Sequence, residues 1–185
     1  MNKKENIKKY YKDYANRLVI SDASPLIYLS KVGKLEYLKL LFTEVYTTET
    51  VKKECKRIHL PDWIKVEEPS QNIKNAINRK GIDAGERSAI GLALEIDARE
   101  KYNIAGGKIC LILDDKEARH ELKRLNLSIE NIGLKEILSF AIDKNICNKT
   151  EMSDILKNLD KHGRKFKNKD IQYILGNSKS NGVKI

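Results

Sequence analysis

The sequence predicts an α/β fold in which a mostly parallel central sheet lies between layers of helices. Short apolar segments with strand character alternate with longer segments of helical periodicity, as expected of a three-layer α/β domain. Residues 109–113 are five consecutive apolar residues, which is typical of a parallel strand buried on both faces. A chain of 185 residues has the length of one such domain.

The first half of the chain contains three predicted strands. Residues 18–20 form the first, and Ser21 and Asp22 follow it. The next helix is predicted to begin with Ser24 as its N-cap and Pro25 in the first helical position, where these residue types are preferred. Turn residues and periodicity then predict a helix at 34–42, a strand at 44–47, a helix at 48–58, an edge strand at 64–66 and a helix around 73–77.

The second half of the chain contains two further predicted strands, each followed by a helix. The longest helical pattern covers residues 84–102 and precedes the apolar strand at 109–113. The alternation is completed by a helix at 116–125, a strand at 127–132 and a helix at 134–144. Two short helices are predicted between 150 and 177, and residues 178–185 are predicted to form a flexible tail.

The positive charge of the chain is concentrated at its two ends. Lysine and arginine number 36 against 26 aspartate and glutamate residues, a formal net charge of +10. Residues 1–17 contain six basic and two acidic side chains, and residues 149–185 contain nine and four. Basic ends attract polyanions such as nucleic acids, because phosphate neutralisation drives non-specific nucleic-acid binding. Merely solvated, lysine-rich termini would give the same composition, so charge alone leaves both interpretations open.

Cysteine usage and hydropathy predict a cytoplasmic protein. Cys55, Cys110 and Cys147 are an odd number at wide spacing, which indicates free thiols in a reducing compartment. No apolar run reaches the roughly 18–20 residues that span a bilayer, and the N-terminus lacks the apolar core of a secretory signal. We therefore expect no membrane association.

Several common catalytic motifs are absent from the sequence. Residues 105–108 (AGGK) lack the length of a phosphate-binding loop and lead into a strand instead of a helix. His120 and Glu121 are not followed by the second histidine of a zinc protease motif. Neither GxSxG nor GxGxxG occurs, so serine hydrolysis and hydride transfer gain no support.

Acidic residues follow two of the predicted strands. Asp22 comes directly after the first strand, and Asp114 and Asp115 come directly after the apolar strand. If these parallel strands are neighbours, their carboxyl ends bring the three carboxylates to one edge of the sheet, where α/β folds bind ligands. Carboxylates gathered in this way repel one another unless a divalent cation lies between them. A cluster of acids without histidine or cysteine favours Mg²⁺ or Mn²⁺ over zinc.

Further candidate acids lie on predicted helices. Glu54 borders the apolar stripe of its helix and could face a cleft, or it could be solvated beside its lysine neighbours. Asp83 and Glu86 fit a capping box, which would explain both residues structurally, although we also expect Glu86 to be functional. Asp22 and one of the two later aspartates could likewise cap helices. Ser24 could position a metal-bound water or act only as a cap.

Four segments carry these acids in a characteristic order. They are residues 19–27 (VISDASPLI), 51–54 (VKKE), 83–90 (DAGERSAI) and 111–119 (LILDDKEAR). Together they resemble the motifs of the PIN-domain family, and specifically its VapC-like toxin ribonucleases. The resemblance covers about residues 17–145, and residues 157–175 also resemble the C-terminal helices of that branch.

The resemblance implies a PIN-like, Rossmann-like three-layer domain and an endoribonuclease that depends on Mg²⁺ or Mn²⁺. The metal-binding acids of the family correspond to Asp22, Glu54, Glu86 and one of Asp114 and Asp115. Most of the wider family has aspartate where this chain has Glu86. The resemblance also implies RNA as substrate, a small protein antitoxin as inhibitor and a homodimer as a compatible assembly.

Basic residues just past the apolar strand are candidates for contacts with substrate. Lys116 and Arg119 could neutralise a substrate phosphate, with Ser24 at the same edge, although a solvated helix face would also explain both basic side chains. The mechanism we expect is hydrolysis of a phosphodiester with one or two divalent ions held across the scissile phosphate.

The predicted domain organisation has three parts. Residues 1–16 form a basic N-terminal extension, residues 17–147 the PIN-like nuclease domain, and residues 148–185 a basic helical C-terminal extension with a flexible tail. The N-terminal extension could contact RNA through its tyrosines or pack as an amphipathic helix. We favour packing, because Ile7, Tyr10, Tyr11 and Tyr14 fall close to one helical face.

Three other functions remain compatible with the sequence. A nuclease acting on DNA would use the same acids. A catalytically silent nucleic-acid-binding or regulatory module would keep the fold without metal-dependent turnover. A metal-dependent phosphatase is a weaker alternative. The full set of acids favours catalysis over silence.

Overall fold

The central sheet contains five parallel strands. The structure is a computed structural model, and it describes residues 17–77, 80–98, 109–125 and 129–176. The strands are β1 (Leu18–Ser21), β2 (Glu44–Thr47), β3 (Ile64–Val66), β4 (Cys110–Ile112) and β5 (Glu130–Ile132). Their order across the sheet is β3-β2-β1-β4-β5, and every neighbouring pair is parallel. The prediction of an α/β fold with a parallel central sheet is therefore confirmed.

The described ranges contain nine helices. They are α1 (Ala23–Lys31), α2 (Glu36–Leu41), α3 (Glu49–Glu54), α4 (Gln71–Ala76), α5 (Ala84–Ala98), α6 (Lys116–Arg124), α7 (Leu134–Asp143), α8 (Lys149–Lys161) and α9 (Asn168–Ile174). Each parallel strand pair requires a crossover connection, and helices supply most of these. The two C-terminal helices predicted from the sequence are present, and the first of them is long, with 13 residues.

Two apolar clusters cover the two faces of the sheet. One joins Val19, Cys110 and Ile112 to the inward sides of α1, α2, α7, α8 and α9. The other joins Ile20, Leu111 and other alternating strand residues to α5 and α6. Successive strand residues point to opposite faces, so the continuous apolar run of β4 supplies both clusters.

The first helix begins two residues earlier than the sequence predicts. Asp22, not Ser24, occupies the N-cap position of α1, and Pro25 lies within the first turn. The helix can begin there because Asp22 also ends the strand: its backbone N–H donates to the Ile112 carbonyl at 3.1 Å. The predicted cap at Ser24 is therefore wrong, and Ser24 is exposed.

Parts of several predictions lie outside the described residues. These parts are the N-terminal extension 1–16, the end of the predicted helix at 99–102, the strand positions 127–128 and the tail 178–185. In the part of the chain that the structure describes, no helix combines the length and apolar character needed to cross a membrane.

Candidate active site

The carboxyl ends of β1 and β4 meet at one edge of the sheet and bring predicted acids to it. Strands β1 and β4 are neighbours, as the sequence analysis requires. Asp22 directly follows β1, while Asp114 and Asp115 lie just beyond β4. Helix α5 has Glu86 in its first turn, and Glu54 is the last residue of α3. At this edge, Asp114 lies on one face of the sheet and Asp22, Asp115 and Glu86 on the other, as the contacts below show.

Asp22 is a buried carboxylate without a full set of partners. It is 5% exposed, and among the described residues its Oδ1 has no hydrogen-bond partner. The pKa of Asp22 is raised to about 6, mainly by burial and also by the nearby Asp83 and Glu54 carboxylates, while the N–H groups of Ala23 and Ser24 partly offset the rise. The Ala23 and Ser24 N–H groups lie near the carboxylate, but the side chain makes no hydrogen bond of capping geometry to α1, so capping does not provide a partner for Oδ1.

Glu86 combines a capping role with a place in the acidic cluster. Its Oε2 accepts from the Asp83 N–H at 3.1 Å, and Asp83 Oδ1 accepts from the Glu86 N–H at 2.8 Å, so the predicted capping box is present. Glu86 is nevertheless 6% exposed. Burial raises the pKa of Glu86 to about 7, and the carboxylates of Asp83, Asp115 and Asp22 act in the same direction. Its charged form is therefore unfavourable where it lies.

Glu54 approaches α5 at a glycine. A Cβ atom on Gly85 would lie 2.6 Å from both carboxylate oxygens of Glu54, so only glycine permits this approach. Glu54 is exposed along most of its length, but burial of its carboxyl end raises its pKa, as does Asp83, and the Gly85 N–H lowers it. Gly85 thereby brings Glu54 next to the turn that carries Glu86.

A further carboxylate, that of Glu68, links α3 to α5 beside this contact. Glu68 accepts from the Thr50 N–H at 3.0 Å and from the Thr50 and Ser88 hydroxyls at 2.8 and 2.9 Å. Burial opposes ionisation of Glu68, but hydrogen bonds from Lys74, Thr50 and Ser88 outweigh it and lower its pKa to about 2. Because Thr50 lies on α3 and Ser88 on α5, Glu68 links the two helices that carry Glu54 and Gly85.

The two adjacent aspartates after β4 have different surroundings. Asp115 caps α6, with its Oδ1 accepting from the N–H groups of Glu117 at 2.7 Å and Ala118 at 3.0 Å. Its charge also contributes to the raised pKa of Glu86. Asp115 is therefore close enough to the acidic cluster to influence it, while its Oδ2 lies outside the cap.

Asp114 is surrounded by donors instead of acids. Its Oδ2 pairs with Arg164 Nη2 at 2.7 Å, and its Oδ1 lies 3.6 Å from Arg119 Nη2. The same Oδ1 accepts from the Leu134 N–H, at the start of α7, at 3.1 Å. Both oxygens are thus engaged by this chain, and neighbouring positive charges balance the carboxylate.

Strand alternation explains the difference between the two aspartates. Leu111 and Leu113 pack on the α5 face of the sheet, whereas Cys110 and Ile112 pack on the α7 face. Continuing the alternation past β4 places Asp115 on the α5 face and Asp114 on the α7 face. Ile20 also packs on the α5 face, so Asp22 and Asp115 share the face on which Glu86 lies.

The three predicted substrate-binding residues also differ in their surroundings. Ser24 and Lys116 are exposed at the acidic edge, in the first turns of α1 and α6. Arg119 instead binds the Leu113 carbonyl through Nε at 2.9 Å and Nη2 at 2.6 Å. Its guanidinium is directed at the backbone that leads into Asp114, which favours a structural role over contact with a substrate phosphate.

The donor set at this edge fits a hard divalent cation. Within the described ranges, no three acidic, histidine or cysteine side chains already stand in a metal-binding geometry. The unpartnered, buried Oδ1 of Asp22 is nevertheless an oxygen without the positive charge or donor that buried carboxylates require. Glu86 and Asp115 contribute further oxygen atoms on the same face. Oxygen-only ligands of this kind suit Mg²⁺ or Mn²⁺.

The raised pKa values predict that the metal-free protein loses stability as the pH rises. The pKa values of Asp22 and Glu86, about 6 and 7, exceed their ordinary values of 3.8 and 4.5. The folded state therefore binds more protons, and the resulting stabilisation, complete at low pH, is lost as the pH rises through 6 and 7. We expect the melting temperature in EDTA to be about 5 °C higher at pH 5.5 than at pH 8.

The measurement is thermal unfolding in EDTA across this pH range, with an Asp22→Asn, Glu86→Gln double variant as the control. Glu68 does not interfere, since its pKa of about 2 keeps it ionised throughout. A double variant with the same slope as the wild type would contradict the assignment of the slope to these two acids.

The five-stranded parallel sheet with acids at its carboxyl edge defines an α/β domain with a candidate ligand site at that edge, and comparison with known proteins identifies the family. A family model described as a PIN domain matches residues 18–180. The chain therefore belongs to the PIN-domain family. PIN domains are generally nucleases and usually use divalent metal ions. No curated protein and no solved structure matches the chain.

Sequence reasoning missed two residues that shape the site. Gly85 is part of the DAGE motif, and a glycine in the first turn of a helix is a signal in itself, because glycine is unfavourable there unless a close approach requires it. Arg164 is 50 residues from Asp114, and no local pattern links the two. Only the tertiary structure brings them together.

Proposed function

We propose that this chain is an endoribonuclease that hydrolyses RNA phosphodiester bonds with a bound Mg²⁺ or Mn²⁺ ion. The observation that carries the proposal is the buried Asp22 carboxylate near Glu86 at the carboxyl edge of the sheet, whose Oδ1 has no hydrogen-bond partner among the described residues. Membership of the PIN-domain family supports nuclease activity. The excess of basic residues at both ends of the chain supports an RNA substrate.

Asp22, Glu86 and Asp115 would hold the metal, and Glu54 would complete the acidic rim. Asp114 is a weaker candidate, because both of its oxygens already contact donors of the chain. When bound, a divalent ion lowers the pKa of a coordinated water and stabilises charge on the scissile phosphate. With a pKa of about 7, Glu86 is about half protonated near neutral pH and would release that proton on binding a metal, whereas Asp22, with a pKa of about 6, is mostly ionised there.

Exposed groups at the same edge would position the substrate. Lys116 lies next to Asp115 at the start of α6, where its ammonium group can neutralise a phosphate of the RNA. The Ser24 hydroxyl, in the first turn of α1, can donate to a phosphate oxygen or to a water at the metal. Arg119 acts on the backbone beside Asp114 and takes no part in this contact.

The biological role we propose is that of a cytoplasmic toxin in a toxin–antitoxin pair. A small protein antitoxin would inhibit it, and the role is compatible with a homodimer of the chain. This role follows from the resemblance of the four motif segments to VapC-like ribonucleases. Induced expression in a bacterial host tests it: wild type should arrest growth, whereas Asp22→Asn should not.

The test of the biochemical proposal is a cleavage assay on three substrates. We would incubate the full chain with labelled single-stranded RNA, single-stranded DNA and a small phosphomonoester, each with Mg²⁺, Mn²⁺ or EDTA. We expect metal-dependent cleavage of RNA that exceeds cleavage of DNA. Preferential cutting of DNA or of the phosphomonoester would replace the proposed substrate. RNA binding that persists in EDTA without any cleavage would indicate a silent binding module.

A further inference from the structure

The segment between α8 and α9 turns back towards the acidic edge of the sheet. Gly163 follows the end of α8 with a φ of 88°, a left-handed conformation that glycine adopts without steric cost. Its N–H donates to the Asp160 carbonyl at 2.9 Å, and the Arg164 N–H donates to the Leu159 carbonyl at 2.8 Å. These bonds end the helix and direct the Arg164 side chain towards Asp114.

The Arg164 guanidinium is held by one ion pair and two aromatic rings, while its buried Nε has no hydrogen-bond partner among the described residues. Its Nη2 lies 2.7 Å from Asp114 Oδ2, and the guanidinium carbon lies 5.2 Å from the centre of the Phe166 ring and 5.9 Å from that of Tyr28. Only 30% of the Arg164 side chain and 12% of the Asp114 side chain is exposed. The attraction between two charges that are shielded in this way is stronger than that between exposed charges.

Asp114 transmits this contact to the backbone of the site. Its Oδ1 holds the first N–H of α7 at Leu134, and it packs so closely on Gly133 that a Cβ there would overlap it. Arg119 binds the carbonyl of the preceding residue, Leu113. The backbone immediately before Asp115 is thus fixed from the α7 side, while Asp115 itself points to the α5 side.

From these contacts we propose that Arg164 is a positioning residue for the candidate active site: its ion pair with Asp114 fixes the backbone that orients Asp115 towards Asp22 and Glu86. The inference rests on the proposed function in that it gives Asp115 a role as a metal ligand. It also assigns the adjacent acids separate tasks, with Asp114 as an anchor and Asp115 as a ligand. The segment that connects α8 to α9 then contributes to the site through the Arg164 side chain.

The test measures Mn²⁺ affinity of the full chain, by electron paramagnetic resonance of free Mn²⁺, together with thermal stability. Arg164→Leu should weaken Mn²⁺ binding about tenfold, the scale on which residues supporting metal ligands act. Arg164→Lys should retain most of the affinity, since it keeps a positive charge in reach of Asp114. Lys165→Leu, which removes the same charge from an 82% exposed side chain, should leave Mn²⁺ affinity unchanged.

Two further variants separate positioning from general support by the C-terminal helices. Leu159→Ala removes a fully buried side chain of α8 and should lower the melting temperature with little effect on Mn²⁺ affinity. Arg164→Leu combined with Asp114→Asn should bind Mn²⁺ no more weakly than the worse single variant, because the two side chains act as one unit.

The outcomes distinguish failure of this inference from failure of the proposed function. A folded Arg164→Leu protein with wild-type Mn²⁺ affinity would overturn the positioning role, as would an equal loss of affinity in Leu159→Ala. A wild-type chain that binds Mn²⁺ but cleaves no RNA, with the predicted loss in Arg164→Leu, would overturn the proposed function and support the positioning role.

Discussion

Asp22→Asn should abolish RNA cleavage and at the same time stabilise the metal-free protein. Asp22 is the most buried acid at the site, and its Oδ1 has no hydrogen-bond partner among the described residues. Losing a carboxylate ligand removes several kcal/mol of charge stabilisation, which corresponds to a rate loss of roughly a thousandfold. Cleavage is measured on labelled RNA with Mg²⁺ and with Mn²⁺.

The gain in stability follows from the same pKa. A rise in the Asp22 pKa from 3.8 to about 6 corresponds to roughly 3 kcal/mol of unfavourable free energy when the carboxylate is ionised. The neutral amide of asparagine avoids this cost, so the melting temperature in EDTA at pH 8 should rise. A structural aspartate would behave in the opposite way, because its loss would destabilise the fold.

Asp62→Asn is the matched control for this variant. Asp62 is exposed just before β3 and lies at the opposite end of the strands from the acidic edge. The same substitution there should change neither cleavage nor stability. An Asp22→Asn protein that retains full cleavage, or that melts earlier than wild type in EDTA at pH 8, would contradict the role assigned to Asp22.

Gly85→Ala should reduce cleavage strongly without weakening the fold. The added Cβ would overlap both carboxylate oxygens of Glu54, and these lie at the flexible end of a side chain that can move away. Alanine is favoured over glycine within a helix by roughly 0.5–1 kcal/mol. We therefore expect an unchanged or higher melting temperature and a loss of cleavage of about tenfold or more, as for other misplaced groups at active sites.

Gly91→Ala and Glu54→Gln provide the controls. Gly91 lies on the same helix, where a Cβ would meet Pro69 at 3.2 Å, away from the acids, so its substitution should affect stability and spare cleavage. Combining Glu54→Gln with Gly85→Ala should cost little more than either change alone, because both act on one carboxylate. Full cleavage by Gly85→Ala would show that the position of Glu54 against α5 is unimportant.

The sequence predicts the central strands of the sheet well because β1 and β4 are short and largely apolar and are each followed closely by acidic residues. The five-residue apolar run before Asp114 indicated a strand buried on both faces, and the structure confirms it. The start of α1 was predicted incorrectly because Ser24 and Pro25 form a good helix start on their own. In the folded chain, the hydrogen bond from Asp22 to β4 ends the strand directly at the helix.

The choice between Asp114 and Asp115 shows where sequence reasoning ends. A strand that is apolar on both faces gives no indication of which face any residue occupies, so the two aspartates are equivalent in the sequence. The structure distinguishes them by which helices cover each face. The partner of Asp114, Arg164, comes from a segment 50 residues away, and such long-range contacts leave no periodic signal.

The capping box illustrates a different limit. Asp83 and Glu86 form the predicted reciprocal hydrogen bonds. In the sequence alone, the capping box is enough to explain why both residues are acidic. Burial of Glu86 beside the other acids adds the second role, because it raises the pKa of Glu86 to about 7. Local pattern and chemical environment therefore have to be considered together.

The most direct test of this account is a titration of the full chain with Mn²⁺, with free ion measured by electron paramagnetic resonance at pH 7.5. Wild type, Asp22→Asn and Asp62→Asn would be compared at the same protein concentration. We predict saturable binding by wild type and Asp62→Asn, and binding at least about tenfold weaker in Asp22→Asn. Equal affinities in all three proteins would contradict a metal site at the carboxyl edge of the sheet.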